Sequence, residues 1–147
     1  MKIRYYLLLA IVMFLGAVTG SDVFARMTIA DEGFHQAISE HLHYFSLEIV
    51  GNIILFAPFG GSALICGMAN RQAKTRSVAI IFSISIAILT YFYFTGFQAA
   101  QRAVLEMKWT AAALSVGLLP FFIGVPVLVT VAIAAGITAR VDRRPLA

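Results

Sequence analysis

Charge is what this sequence has least of. Its 147 residues include 11 Lys and Arg and 7 Asp and Glu, a charged share of 12%, where a soluble domain carries about a quarter. With 61% of its residues hydrophobic, the chain lacks the polar surface to coat a water-soluble globule, so lipid must be its solvent. Cysteine is reduced to Cys66, which excludes an internal disulfide and any CxxC pair. A lone thiol in an apolar run reads as a small packing residue. Proline and glycine never gather into a linker and no internal repeat is visible, so the length accommodates one domain. Signatures of catalysis are missing too: there is no HExxH, no phosphate-cradling glycine loop and no recognisable Ser-His-Asp set. These absences lead us to expect no enzyme and no cofactor.

What is present is hydrophobic length. A bilayer core about 30 Å thick takes about 20 apolar residues in a helix, and four stretches qualify: 5–24, 46–68, 78–100 and 110–138. Backbone groups in lipid must satisfy one another within the segment, so these are predicted helices and the class is an all-α polytopic membrane protein, a single four-helix domain over 1–147. The formal charge of +4 sits in short clusters between apolar runs. That placement suits membrane flanks and not nucleic acid. One side would hold Lys2, Arg4, Arg71, Lys74, Arg76, Arg140, Arg143 and Arg144, and the other Arg26, Arg102 and Lys108. This bias predicts cytoplasmic N- and C-termini in a bacterial inner membrane. Tyr5 and Tyr6 would then mark the inner boundary, and Tyr91, Tyr93, Phe97 and Trp109 the outer one. The first span also reads as a signal peptide cleaved after Ala25; we expect an uncleaved anchor, because apolar character persists to Phe24.

Residues 28–45, TIADEGFHQAISEHLHYF, form the one sizeable segment between spans on the outer side. Thr28 and Asp31 fit a capping-box helix start. Phe34, Ala37, Ile38, Leu42 and Phe45 recur at helical spacing, predicting an amphipathic outer helix between the first and second spans. His35, His41 and His43 all fall here. On a helix His41 and His43 diverge by about 200°, and no second histidine follows His35 at i+4, so we expect solvated interfacial histidines and no metal site.

The segment EIVGNIILFAPFGG, 48–61, places polar groups inside an apolar span. His41, Tyr44, Glu48 and Asn52 share one helical stripe, and Asn52 lies about a turn deeper than Glu48. An unpaired amide at that depth costs several kcal/mol, so Asn52 should bond a neighbour: Glu48, a Ser, Thr or Tyr of the third span, or Ser115. Pro58 should kink the helix, and Gly60 and Gly61 should admit a close neighbour. Gly117, Pro120, Gly124 and Pro126 repeat the theme in the long fourth span. His41, Glu48, Asn52, Pro58 and Gly60 are therefore the candidate polar and packing site.

VGNIILFAPFG, 50–60, resembles a motif of the VanZ-like family of small bacterial membrane proteins. The match lies in Asn52, Phe56, Pro58, Phe59 and Gly60. SISIAILTYFYFTG from Ser83 follows the family's next helix loosely; Ala87 and Thr90 stand where that helix carries an acidic residue and a glutamine. The resemblance covers about a third of the chain. It implies a four-helix membrane protein linked to cell-envelope processes, including glycopeptide resistance. The expected function is accordingly a non-enzymatic, envelope-associated protein or accessory subunit. Its partners would be membrane lipids and other membrane subunits or a second copy, with no nucleic acid. The alternatives are a small oligomeric carrier or channel with its polar site at Glu48 and Asn52, and a membrane immunity protein.

Overall fold

The computed structural model describes residues 2–142, leaving Arg143 and Arg144 of the orientation pattern outside the described residues. Its elements are α1 (Ile3–Ile29), α2 (Phe34–Leu47), α3 (Ile49–Ala69), α4 (Thr75–Leu105), α5 (Trp109–Gly117), a π turn (Pro120–Gly124) and α6 (Val125–Val141). No strand occurs among the described residues. Four helical stretches are long and apolar enough to cross a membrane: α1, α3, α4 and the run Trp109–Val141. The chain is a polytopic all-α protein. Several helices overrun the lengths expected from hydropathy. The 27 residues of α1 extend about 40 Å, because the polar residues after Phe24 find partners that let the helix continue.

α1 packs against α3 and α4, α6 leans on α3, and α5 rests on α4. The core is aromatic. Phe14 meets Phe56 and Phe59 edge-on, and Phe59 meets Tyr93 with centroids 5.2 Å apart; Tyr6 stands perpendicular to Phe82 at 5.1 Å. Edge-to-face contacts suit ring quadrupoles, and in lipid such packing replaces the hydrophobic drive available in water. Tyr6 and Tyr93, expected as boundary anchors, are instead buried core residues. The Tyr93 hydroxyl donates to the Leu55 carbonyl at 2.7 Å, which satisfies it inside the bundle. The outward face of α6, including Val125, Val129, Ile133 and Ile137, is exposed in the chain, as a lipid-facing surface is.

Two prolines six residues apart break the fourth span. Pro120 and Pro126 each lack the N–H that would continue an α-helical ladder, and the backbone widens between them: the Val125 N–H bonds the Pro120 carbonyl, a π-type i→i+5 closure. This turn meets α3 at Pro58, which lies inside an otherwise continuous helix. A Cβ on Gly124 would lie 2.3 Å from Pro58 Cγ, so only glycine lets the proline ring seat there. Gly61 makes room for Leu128 of α6 in the same way. Gly60 does not admit a neighbouring helix as expected, since the space beside it is filled by its own helix's Phe56 ring.

The capping-box expectation fails. Thr28 lies inside α1, its hydroxyl donating to the Phe24 carbonyl at 2.7 Å, while Asp31 takes a positive φ of 56° in the turn. α2 begins after Gly33 without a side-chain cap. The reason is α1's continuation beyond the hydropathy boundary.

At the end of the bundle where the described chain begins and ends, Asp142 closes the fold. Its carboxylate accepts from the Ser77 hydroxyl at 2.5 Å and lies 3.5 Å from Lys74 Nζ, which ties the end of α6 to the start of α4. The Ser77 hydrogen bond, against the opposing effect of burial and with help from Lys74, holds the Asp142 carboxyl below the usual aspartate value. A depressed folded-state pKa means the tie is fully present above the unfolded value, about 3.9, and is lost as pH falls through the folded one. Amide exchange in the last turn of α6, corrected for intrinsic rates, should therefore stay slow at neutral pH and rise only as the pH falls below the unfolded-state value. Asp142→Asn should show the faster exchange in both ranges.

Candidate functional site

The polar residues of the apolar region collect at the opposite end, under α2. Thr19, Asp22 and Arg26 recur on one face of α1 at offsets of three and four, and α2 crosses that face with Glu40 and His41. His41 is 4% exposed. Its Nδ1 lies 3.0 Å from Asp22 Oδ2 and its Nε2 3.1 Å from Thr19 Oγ1. A carboxylate only accepts, so Nδ1 carries the proton donated to Asp22, and in the neutral ring Nε2 accepts from the Thr19 hydroxyl. The same Asp22 oxygen receives Arg26 Nε at 3.0 Å, and Arg26 reaches on to Glu40 at 2.6 Å and Glu32 at 3.6 Å. One guanidinium thus serves three carboxylates and fastens both α2 and the turn before it to α1. An ionised residue within a membrane helix is expected to pair in this manner.

α2 and α3 are separate helices joined at Glu48, whose backbone (φ −99°, ψ 50°) leaves helical geometry. Asn52 secures the bend. Its Nδ2 donates to the Phe45 carbonyl at 2.7 Å, one of the carbonyls orphaned where α2 ends. The partner of Asn52 is therefore backbone and none of the side chains expected. Glu48 stands at the N-cap position of α3 but makes no side-chain capping bond.

Beneath α2 these groups line a partly open cavity of about 130 Å³. Asp22, Arg26, His41, Glu48 and Asn52 supply its polar lining, Tyr44, Phe45 and Phe97 aromatic walls, and Val18, Leu55 and Val116 the remaining apolar surface. Three of the five candidate residues, His41, Glu48 and Asn52, are thus brought together. Pro58 and Gly60 are not: they lie deeper, at the contact with the π turn and against Phe56. His35 and His43 are exposed on α2. His41 departs from the expected solvated state because α2 folds back over α1 and sets it against Asp22 and Thr19. Among the described residues no three His, Cys, Asp or Glu side chains gather as metal ligands.

Asp22, Arg26 and Thr19 went unrecognised in the sequence, although an Asp-Arg pair at i, i+4 next to an apolar run was the available signal. Chemically, the Thr19–His41–Asp22 chain can hold and orient a proton. It offers no place for an oxyanion, because the N–H groups around Thr19 are committed to the α1 ladder. No family model, curated protein or solved structure matches this chain.

Proposed function

We propose that this protein is a non-enzymatic accessory component of the bacterial envelope, VanZ-like in kind. It resides in the inner membrane with both termini cytoplasmic and α2 on the outer face, where it meets an envelope partner or ligand. The observation that carries this reading is the distribution of polarity. Asp22, Arg26, Glu40, His41, Glu48 and Asn52 converge at one end of the bundle, while the interior beneath is closed by Phe14, Phe59 and Tyr93. A surface helix fastened above a small, largely apolar cavity with a few polar groups suits recognition. A closed aromatic interior gives a single chain little room for a transport path, which is why accessory function is favoured over a carrier. The orientation is supported by Lys2, Arg4, Arg71, Lys74, Arg76 and Arg140 at the end opposite α2.

The test is site-directed photocrosslinking in cells. A photoreactive residue at Leu42, exposed on α2, is expected to yield one discrete envelope adduct, absent when the probe sits at lipid-facing Ile133. Recovery of the chain alone, as a monomer, from both positions would count against the accessory reading.

A further inference from the structure

The cavity under α2 carries one ionised group that the fold does not use. Arg26 is occupied by Asp22, Glu40 and Glu32, and His41 is held between Asp22 and Thr19. Glu48 lines the same cavity with no ion pair or hydrogen bond among the described residues. The ordinary structural role for a carboxylate at a helix start is a side-chain cap, and that bond is absent here. Next to it, Asn52 has its Nδ2 fixed on the Phe45 carbonyl, which leaves Oδ1 as an acceptor. Three carboxylates (Asp22, Glu32 and Glu40) already surround the one guanidinium, and Glu48 adds a fourth negative group to the cavity lining, so the local field favours a cation.

We propose that this cavity binds the primary ammonium group of an aminoethyl head, between the Glu48 carboxylate, the Asn52 carbonyl oxygen and the aromatic walls. An R–NH₃⁺ group presents three donors, and carboxylate and amide oxygens accept two of them. Phe45 and Phe97 add aromatic surface to the same cavity, which favours a cation, while the Tyr44 ring already carries the Arg26 guanidinium at 5.7 Å. A hard divalent ion would need six or more oxygen ligands, where this lining is largely aromatic and aliphatic. A quaternary ammonium has no N–H to give. The volume, about 130 Å³, suits a head of a few heavy atoms. This inference rests on the outward placement of α2 given above, which sets the cavity at the level of the outer headgroups. The aminoethyl group then arrives either on phosphatidylethanolamine or as a free small amine.

The experiment uses the full chain in nanodiscs holding equal amounts of phosphatidylethanolamine and phosphatidylcholine, with retained lipid measured by native mass spectrometry. Retention of the ethanolamine lipid should exceed that of the choline lipid by about tenfold, a difference of about 1.4 kcal/mol. Glu48→Gln should abolish the preference without changing thermal stability, since Glu48 is exposed and unpaired. Glu106→Gln, altering a carboxylate that pairs with Lys108 in an exposed turn, should leave the preference intact. Displacement of the bound lipid by free ethanolamine would extend the site to small amines; lipid retention that resists it assigns the lipid as the source. Equal retention of the two lipids, or a preference that survives Glu48→Gln, overturns the inference. Leu42 crosslinking separates the two readings: adducts that persist after such a result leave the accessory role standing, and their loss alongside an intact lipid preference removes that role and spares the site.

Discussion

Asp22→Ala is expected to destabilise the folded protein by about 3–5 kcal/mol, the usual cost of removing one partner from a buried charged pair. Asp22 accepts from His41 and Arg26 through a single oxygen. Without it the His41 Nδ1–H faces no acceptor in a nearly closed site, and Arg26 keeps only Glu40 and Glu32. Desolvated groups left unpaired account for most of the loss; the attraction itself is the smaller part. Asp22→Asn should cost less, because the amide oxygen still accepts from His41 while the charge facing Arg26 is gone. Unfolding in mixed micelles measures both. A double-mutant cycle with His41→Ala should return a coupling of about 0.5–3 kcal/mol. A loss below about 1 kcal/mol, the range of exposed pairs, would show that water reaches the cluster and that α2 is not fastened through it.

Gly124→Val should rank next. Even the first carbon added at Gly124 would fall 2.3 Å from Pro58 Cγ and 3.0 Å from Pro58 Cβ. A proline ring cannot swing away as the end of a flexible side chain would, so α3 or the π turn must shift. Overpacking of this kind costs about 1–3 kcal/mol, occasionally more. The telling comparison is Gly124→Ala alone against Gly124→Ala with Pro58→Ala. Removing the ring vacates the colliding space, so the double variant should melt above the sum of its single effects. Additive losses would mean that the two helices do not touch at Pro58 and Gly124.

Gly124 and Pro58 show how much of the packing was legible in sequence. Each announces a bend or a close approach by its own backbone chemistry, and two kinked helices were expected on that ground. That Pro58 meets Gly124 was not readable, since 66 positions of chain separate them and the contact depends on how the two helices are tilted. Gly60 makes the same point in reverse: its lack of a side chain serves Phe56 on its own helix, and no local pattern distinguishes that from a site of helix crossing.

The candidate site divides along the same line. The stripe of His41, Glu48 and Asn52 came from helical periodicity, and these residues do line one cavity. Their partners did not come with them. Hydropathy ends a span where apolar residues thin out, so it stopped near Phe24 and assigned Asp22 and Arg26 to the boundary. The helix itself runs to Ile29 because those two residues satisfy each other and α2. His41, taken alone, then looked solvated.

What the sequence determined by itself is the class: an all-helical chain with four helices long and apolar enough to cross a membrane. Scarce charge and four long apolar runs act through bulk solvation and local hydrogen bonding, which depend on composition and spacing along the chain. Tertiary structure alone decided that Arg26 gathers three carboxylates, that His41 is enclosed, and that Glu48 is left without a partner. Those outcomes depend on the angle at which α2 turns back over α1. That angle is set by packing between segments distant in sequence, so no local periodicity encodes it.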